Sequence, residues 1–279
     1  MPEWAHALVA NEGPLRLSAF AAVLALLLAL QRLRPLRGDG RGQRRQATNL
    51  LLIALDTVLL RLAFPVLAVG LALQFEAQGF GLLPRLGLPF WLDCLLAVVL
   101  LDLAIYWQHR WMHVVPLLWR LHRLHHSDTG FDVTTGLRFH PFEMALSMAY
   151  KLALVAALGA PALAVLVFEL LLSVGALFTH ADFALPPALD RRLRWLLVTP
   201  SMHRIHHSTW QPETDSNYGF HLSLWDRLFG SYRAQPRAPE ASMPIGLEYF
   251  RSTREQTLSS LLLQPFRSQP SSSEHDPHA

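Results

Sequence analysis

The chain has 279 residues, of which 52% are hydrophobic and only 16% charged, with 24 lysines and arginines against 21 aspartates and glutamates. Soluble domains are about 25% charged, so the composition points to a membrane protein, and the small basic excess singles out no polyanionic partner. Cys94 is the only cysteine, which excludes an intrachain disulfide and a thiolate-rich metal site and leaves nitrogen and oxygen as metal ligands.

Met1 to Glu12 carries Glu3 and Glu12 but no basic stretch, so the first apolar run reads as retained rather than as a cleaved signal. That run covers about residues 15–30, near the lower limit of the roughly 17 to 25 residues that cross a bilayer. Arg32, Arg34, Arg37, Arg41, Arg44 and Arg45 follow, opposed in that stretch only by Asp39. Between two apolar segments such a cluster reads as a cytoplasmic membrane-flanking loop rather than a nucleic-acid arm. Residues 1–49 therefore form an N-terminal membrane segment and a basic loop.

The second apolar run, about 50–75, contains Asp56 and Arg61, which either pair or face the protein interior. The third, 90–106, leads into the first histidines. Residues 143–179 are apolar but broken by Gly159, Ala160 and Pro161, which predicts a helical hairpin; one long helix kinked at Pro161 is the alternative. With the arginine loop cytoplasmic, the second run leaves, the third returns, and the hairpin goes out and back. Every histidine cluster then lies at the cytoplasmic face, an agreement that a mere kink would break. From residue 236 the chain reads as a polar tail, mobile beyond about Arg251, with His275 and His278 solvated.

Fourteen histidines are present and ten fall between His109 and His207. His109 and His113, in YWQHRWMH, stand four residues apart and share one helical face. Pro116 ends or bends that helix. LWRLHRLHHSD then supplies His122, His125 and His126, whose three- and four-residue separations again place the rings on one helical face, and TPSMHRIHHS repeats the H-x-x-H-H spacing at His203, His206 and His207. A lone histidine such as His6 or His221 is usually a satisfied core residue. Eight clustered imidazoles are different, because gathered at a membrane surface they leave many polar atoms that metal ions would satisfy. Eight nitrogens exceed the four ligands of zinc or the six of iron, which implies two ions. His180, in FTHAD, is a candidate ninth ligand. His140, in RFHPFE, is a candidate ligand, outer hydrogen-bond donor or helix-start residue.

These motifs, with YWQHR, RFHPFE, NYG from Asn217 to Gly219 and WDRLFGSY from Trp225, resemble the eight-histidine pattern of the fatty acid hydroxylase and sterol desaturase superfamily over roughly residues 50–235. The resemblance implies an all-α integral-membrane helical bundle capped by a cytoplasmic histidine-rich di-metal centre. It implies O2-dependent hydroxylation or desaturation of an acyl chain, sterol or other lipid at two irons; spacing alone does not choose iron over zinc, which imidazole also suits. No side chain beyond the metal ligands need act catalytically. Asp102, two turns from His109, is a candidate to orient another histidine or to make an interhelical contact. Asp128, Asp132, Glu143, Asp182 and Asp226 are similar candidates, each also readable as a cap or surface partner, and Asn217 and Trp225 match the family motif without a derivable role.

No haem-binding HPGG or nucleotide-binding G-x-G-x-x-G sequence is present, so electrons would come from a separate protein, a ferredoxin or a cytochrome b5-like donor with its reductase. The rival enzyme is a membrane zinc hydrolase, but H-E-x-x-H is absent and no cluster contains a glutamate to act as general base. The rival from another class is a non-catalytic metal-binding or transport protein; transport favours ionisable groups near the bilayer midplane, whereas these histidines sit at predicted helix ends.

Overall fold

The computed structural model describes residues 1–38, 42–64 and 66–268; Asp39, Arg41, His275 and His278 lie outside these. Five segments are long and apolar enough to cross a membrane: Glu12–Leu33, Gln43–Leu86, Phe90–Val114, Pro141–Leu158 and Ala162–Thr179. No strand occurs among the described residues, only two isolated bridges, Leu197 to Leu222 and Ser208 to Ile245.

A short helix α1 (Glu3–Ala10) precedes α2 (Glu12–Leu33). The second apolar run is divided into α3 (Gln43–Ala63) and α4 (Ala68–Gln78). Phe64, which precedes a proline in the sequence, is extended at φ −124° and ψ 90°, because the proline ring disfavours helical backbone in the residue before it. α5 (Phe90–Val114) runs beyond the apolar stretch and stops at Val115, extended before Pro116 for the same reason. Pro116 then opens α6 (Pro116–His126), where its missing N–H costs nothing.

The hairpin is formed by α7 (Pro141–Leu158) and α8 (Ala162–Thr179). α8 is the core helix, with 56% of its most apolar window buried in the protein against 6% for α2, and it touches α1, α2, α4 and α5. Beyond it come α9 (Pro187–Leu193), α10 (Pro200–His206), α11 (Gln211–Thr214), α12 (Leu224–Leu228) and α13 (Leu258–Leu263). α2, α5 and α8 end, and α3 and α7 begin, at the histidine-bearing end of the bundle. At the other end Glu76 accepts from the Ala162 amide at 3.0 Å and lies 3.6 Å from the N-terminal ammonium.

Gly159 closes α7 in the left-handed conformation, φ +61°, where a Cβ would sit 2.1 Å from the Phe80 carbonyl oxygen. Gly159→Ala is therefore expected to cost about 1–3 kcal/mol. Thermal unfolding in detergent should show a lowered Tm beside Gly13→Ala, whose added methyl meets nothing within 4 Å; equal Tm values would contradict the account.

Asp56 and Arg61 do not pair. Asp56 is fully buried with both carboxylate oxygens lacking a hydrogen-bond partner among the described residues, while Arg61 is exposed. Mobility beyond Arg251 also fails for residues 252–268. Leu261 packs in a cluster with Leu52 and Leu124, Arg120 Nε donates to the Pro265 carbonyl at 2.6 Å, and Arg123 Nη2 donates to those of Gln264 and Arg267 at 2.5 Å each. The apolar side of α13 is only a turn and a half long, too short to stand out from the polar residues around it.

Candidate metal centre

α5 carries His109 and His113 on its last two turns, α6 carries His122, His125 and His126, and α8 ends on His180. Thr199 caps α10, its hydroxyl accepting from the Met202 amide at 3.4 Å, and Pro200 occupies the first turn. That short helix presents His203 and His206, with His207 as its last cap.

The nine histidines gather into two groups. His109, His113, His122, His126 and His206 bring one nitrogen each within 4.8 Å of one another, and so do His125, His180, His203 and His207. The H-x-x-H-H motif is thereby split. In each helix the i,i+4 pair shares one face and serves one group, His122 with His126 and His203 with His207, while the histidine between them turns to the other. The expectation that each triplet shares one face holds only for these pairs. The groups are adjacent, with the His126 and His207 rings stacked at 4.5 Å.

Ring orientation is set from outside. His109 Nδ1–H donates to the Tyr218 carbonyl at 2.8 Å, His180 to Ala176 at 2.7 Å, His206 to Ser216 at 2.7 Å and His125 to Arg138 at 3.2 Å. His122 Nδ1 donates to Glu143 at 2.7 Å. Fixing Nδ1 as the donor turns the Nε2 lone pair inward.

In the second group Nε2 of His180 lies 3.2 Å from those of His125 and His207 and 2.9 Å from that of His203, and His203 and His207 stand 3.3 Å apart. With Nδ1 of His125 and His180 protonated, their two Nε2 lone pairs face each other at 3.2 Å, which is repulsive unless a cation lies between them. A metal–nitrogen distance of about 2.0 Å places tetrahedral ligands about 3.3 Å apart, so the donor set fits one ion. In the first group Nε2 of His113, His122, His126 and His206 is buried without a partner among the described residues, as expected of a second ligand set.

The centre is dry. Phe139 stacks on His125 at 4.7 Å and Phe131 on His180 at 5.7 Å. Burial and neighbouring imidazoles hold His125, His126, His203 and His207 well below their ordinary 6.5. Burial foremost pushes His180 down to about 4 and His206 to about 3. All are neutral at pH 7, the form that binds metal.

The unfolded chain takes up protons near pH 6.5 while these folded imidazoles stay neutral, so stability is present above pH 6.5 and lost as pH falls toward 4. Each such histidine contributes about 1.4 kcal/mol of loss per pH unit in that window. The Tm of metal-free protein should fall steadily from pH 7.5 to 5; a flat profile would contradict the neutral assignment.

An apolar cavity of about 230 Å³ opens on both groups, with His109 and His122 of one and His125, His180 and His203 of the other in its wall. A family model described as Fatty acid hydroxylase matches residues 94–231, a segment that contains all nine histidines. The chain belongs to the fatty acid hydroxylase superfamily.

Among its relatives, this superfamily member is 32% identical over 162 residues to an ornithine lipid hydroxylase of Rhizobium tropici, covering 57% of this chain and 46% of that one. It is 34% identical over 131 residues to an alkylglycerol monooxygenase of Xenopus tropicalis, 47% of this chain and 28% of that one. A very-long-chain aldehyde decarbonylase of Oryza sativa subsp. indica is 26% identical over 163 residues, 52% and 25% of the two chains. The matches thus span less than half the length of these relatives. No solved structure matches.

Other acids in this fatty acid hydroxylase domain hold the centre in place. Asp102 orients a histidine other than His109, accepting from His221 Nδ1 at 2.6 Å and from Trp225 Nε1 at 2.9 Å, and neither it nor His221 belongs to a metal group. His140 also lies outside both groups. Its Nδ1 accepts from the Phe142 amide at 3.1 Å to cap α7, and its Nε2 meets the Leu262 carbonyl at 3.1 Å.

Asp226 accepts from the Tyr218 and Gly219 amides at 2.7 and 2.8 Å, steadying the segment that anchors His109, and burial pushes its pKa up to about 6. Asp182 accepts from the Arg37 and Gly38 amides at 3.0 and 2.9 Å. Asp132 caps the 3-10 turn Val133–Leu137, and Asn217, at φ +51°, bridges the Met202 and Arg233 carbonyls at 3.0 Å each.

Two arginines emerge as structural that motif spacing did not mark. Arg45, grouped with the loop arginines, reaches Asp128 at 2.5 Å and pairs with Asp132. Arg138 is fully buried and donates to Leu124, Asn49, Ser127 and Gln256. Arg45 and Arg138 hold the Asp128 carboxyl below its ordinary value against the cost of burial.

Proposed function

We propose that this chain is a multi-pass membrane enzyme that uses two irons and O2 to hydroxylate or desaturate a lipid, with electrons from a separate protein and the centre at the cytoplasmic face. The supporting observation is that both histidine groups open on one apolar cavity, so an alkyl chain lying there would meet a two-ion centre. The family match and the lipid-oxidising relatives support the same chemistry. Arg34, Arg37, Arg44 and Arg45 lie at the histidine-bearing end, which favours the cytoplasmic side.

The residues that would hold the ions are His109, His113, His122, His126 and His206 for one, and His125, His180, His203 and His207 for the other. When bound, irons supply the O2 activation and C–H oxidation that side chains cannot perform. The protein's part is positional. Carbonyls and Glu143 orient the imidazoles, the neutral rings would leave the ions' positive charge uncompensated, and Phe131 and Phe139 shield the centre with apolar rings. The largely apolar wall of the cavity weighs against the zinc hydrolase, which needs a water-fed general base; Glu143, the one glutamate in that wall, is engaged by His122.

Purified protein supplied with iron, a reductant and membrane lipid under 18O2 should yield a lipid product gaining one 18O or losing two hydrogens. Oxygen-independent turnover supported by zinc would refute the reading.

A further inference from the structure

The cavity over the histidines is not uniformly apolar. α7 lines it with Glu143, Ser147 and Lys151, residues at i, i+4 and i+8 on one helical face. Measured along the axis at 1.5 Å per residue, Ser147 stands about 6 Å and Lys151 about 12 Å from Glu143, the residue that orients His122. Facing them on α5, Gln108 Nε2 donates to Ser147 Oγ at 2.5 Å.

Each of the three has hydrogen-bonding capacity left over. Gln108 Oε1 is buried without a donor among the described residues. Ser147 accepts from Gln108, and its own O–H meets no acceptor among the described residues. Lys151, the only lysine in the chain, pairs through one N–H with Glu169, whose second oxygen is taken by Arg16 at 2.6 Å. An ammonium has three donors, so two remain beside the cavity, on a residue only 8% exposed.

A bare hydrocarbon would leave two kinds of donor and one acceptor unsatisfied in a membrane interior, where no bulk water replaces the missing partners. An oxygen-bearing group satisfies them together, accepting from Lys151 and Ser147 and, where it carries a proton, donating to Gln108. Resting on the reading of the centre as a lipid oxidase, we infer that the substrate is an amphiphile whose oxygen-bearing polar group seats among Gln108, Ser147 and Lys151. Its alkyl chain then runs toward the histidines, so the carbon oxidised lies about 6 to 12 Å from that group. These three are positioning residues that fix which carbon reacts.

Binding tests this without turnover, so failure of the oxidase reading and failure of this one are separable. The full chain in phosphatidylcholine nanodiscs is titrated with radiolabelled hexadecane, hexadecan-1-ol and hexadecanoate, against protein-free discs. At least one oxygenated probe should bind about tenfold or more tighter than hexadecane; preference for the alcohol marks a neutral group, for the acid an anionic one. Lys151→Met/Glu169→Gln, which removes the ion pair together, should bring the ratio within about threefold, and Ser147→Ala should lower it by about threefold with folding intact. Equal binding of all three probes, failure of both oxygenated probes to bind, or a ratio unchanged in Ser147→Ala would overturn the inference.

Discussion

His180→Ala is expected to remove one metal and leave the other, taking iron content from two to about one per chain and lowering lipid oxidation by about a hundredfold or more. His180 Nε2 lies within 3.2 Å of three other Nε2 atoms, and without it that group keeps only His125, His203 and His207. The five-histidine group loses nothing. Loss of mere outer partners of metal ligands already costs about 10- to 100-fold, so loss of a ligand from the smaller group should reach at least the upper end. His126→Ala makes the contrast, because four histidines of its group remain. Metal analysis beside O2 consumption checks both, and a His180→Ala protein that keeps two irons and full activity would show that the second group is not a metal site.

Arg138→Met should destabilise the fold by about 3–5 kcal/mol, the scale seen when a buried charge network loses one member. Burial pushes the Arg138 pKa down to about 10, yet the guanidinium remains charged at pH 7. It donates to the Leu124 carbonyl at 2.9 Å, Asn49 at 3.2 Å, Ser127 at 2.9 Å and Gln256 at 2.8 Å. One side chain thus ties the end of α6 to α3 and to the segment before α13. Removing it leaves buried acceptors open, each costly on its own. Its carbonyl also anchors His125, so metal retention should weaken with the fold. Thermal unfolding in detergent should show Tm lower by roughly 10 °C or more; a fall of under 2 °C would mean that these bonds are replaceable.

Local pattern made much of the fold legible. Apolar runs, the Gly159–Ala160–Pro161 break and prolines at Pro116 and Pro161 act within a turn or two, and helices Phe90–Val114, Pro141–Leu158 and Ala162–Thr179 follow from them. The pairing of His109 with His113, His122 with His126 and His203 with His207 was legible for the same reason, since i,i+4 spacing is a statement about one helix face, while the meeting of these pairs with His125, His180 and His206 was expected from the crossing pattern and the motif resemblance.

The division of those nine into five and four was not legible, because it depends on how α5, α6 and α10 are rotated against each other. The partners of Asp102, Arg45 and Arg138 were hidden likewise. Asp102 and His221 are 119 positions apart, and Arg45 reaches an aspartate 83 positions away. Nothing in the composition of a basic loop distinguishes an arginine bound for a buried carboxylate from one flanking a membrane. Docking of Leu261 on Leu52 and Leu124 is hidden in the same manner, since three leucines in a polar stretch acquire meaning only from the surface they meet.

Two ions held by nine histidines over one apolar cavity is the claim on which the rest depends. Anomalous diffraction at the iron edge from crystals of iron-loaded protein tests it most directly. Two peaks are predicted, one amid His109, His113, His122, His126 and His206 and the other amid His125, His180, His203 and His207. A single peak, or iron bound away from these rings, would contradict it.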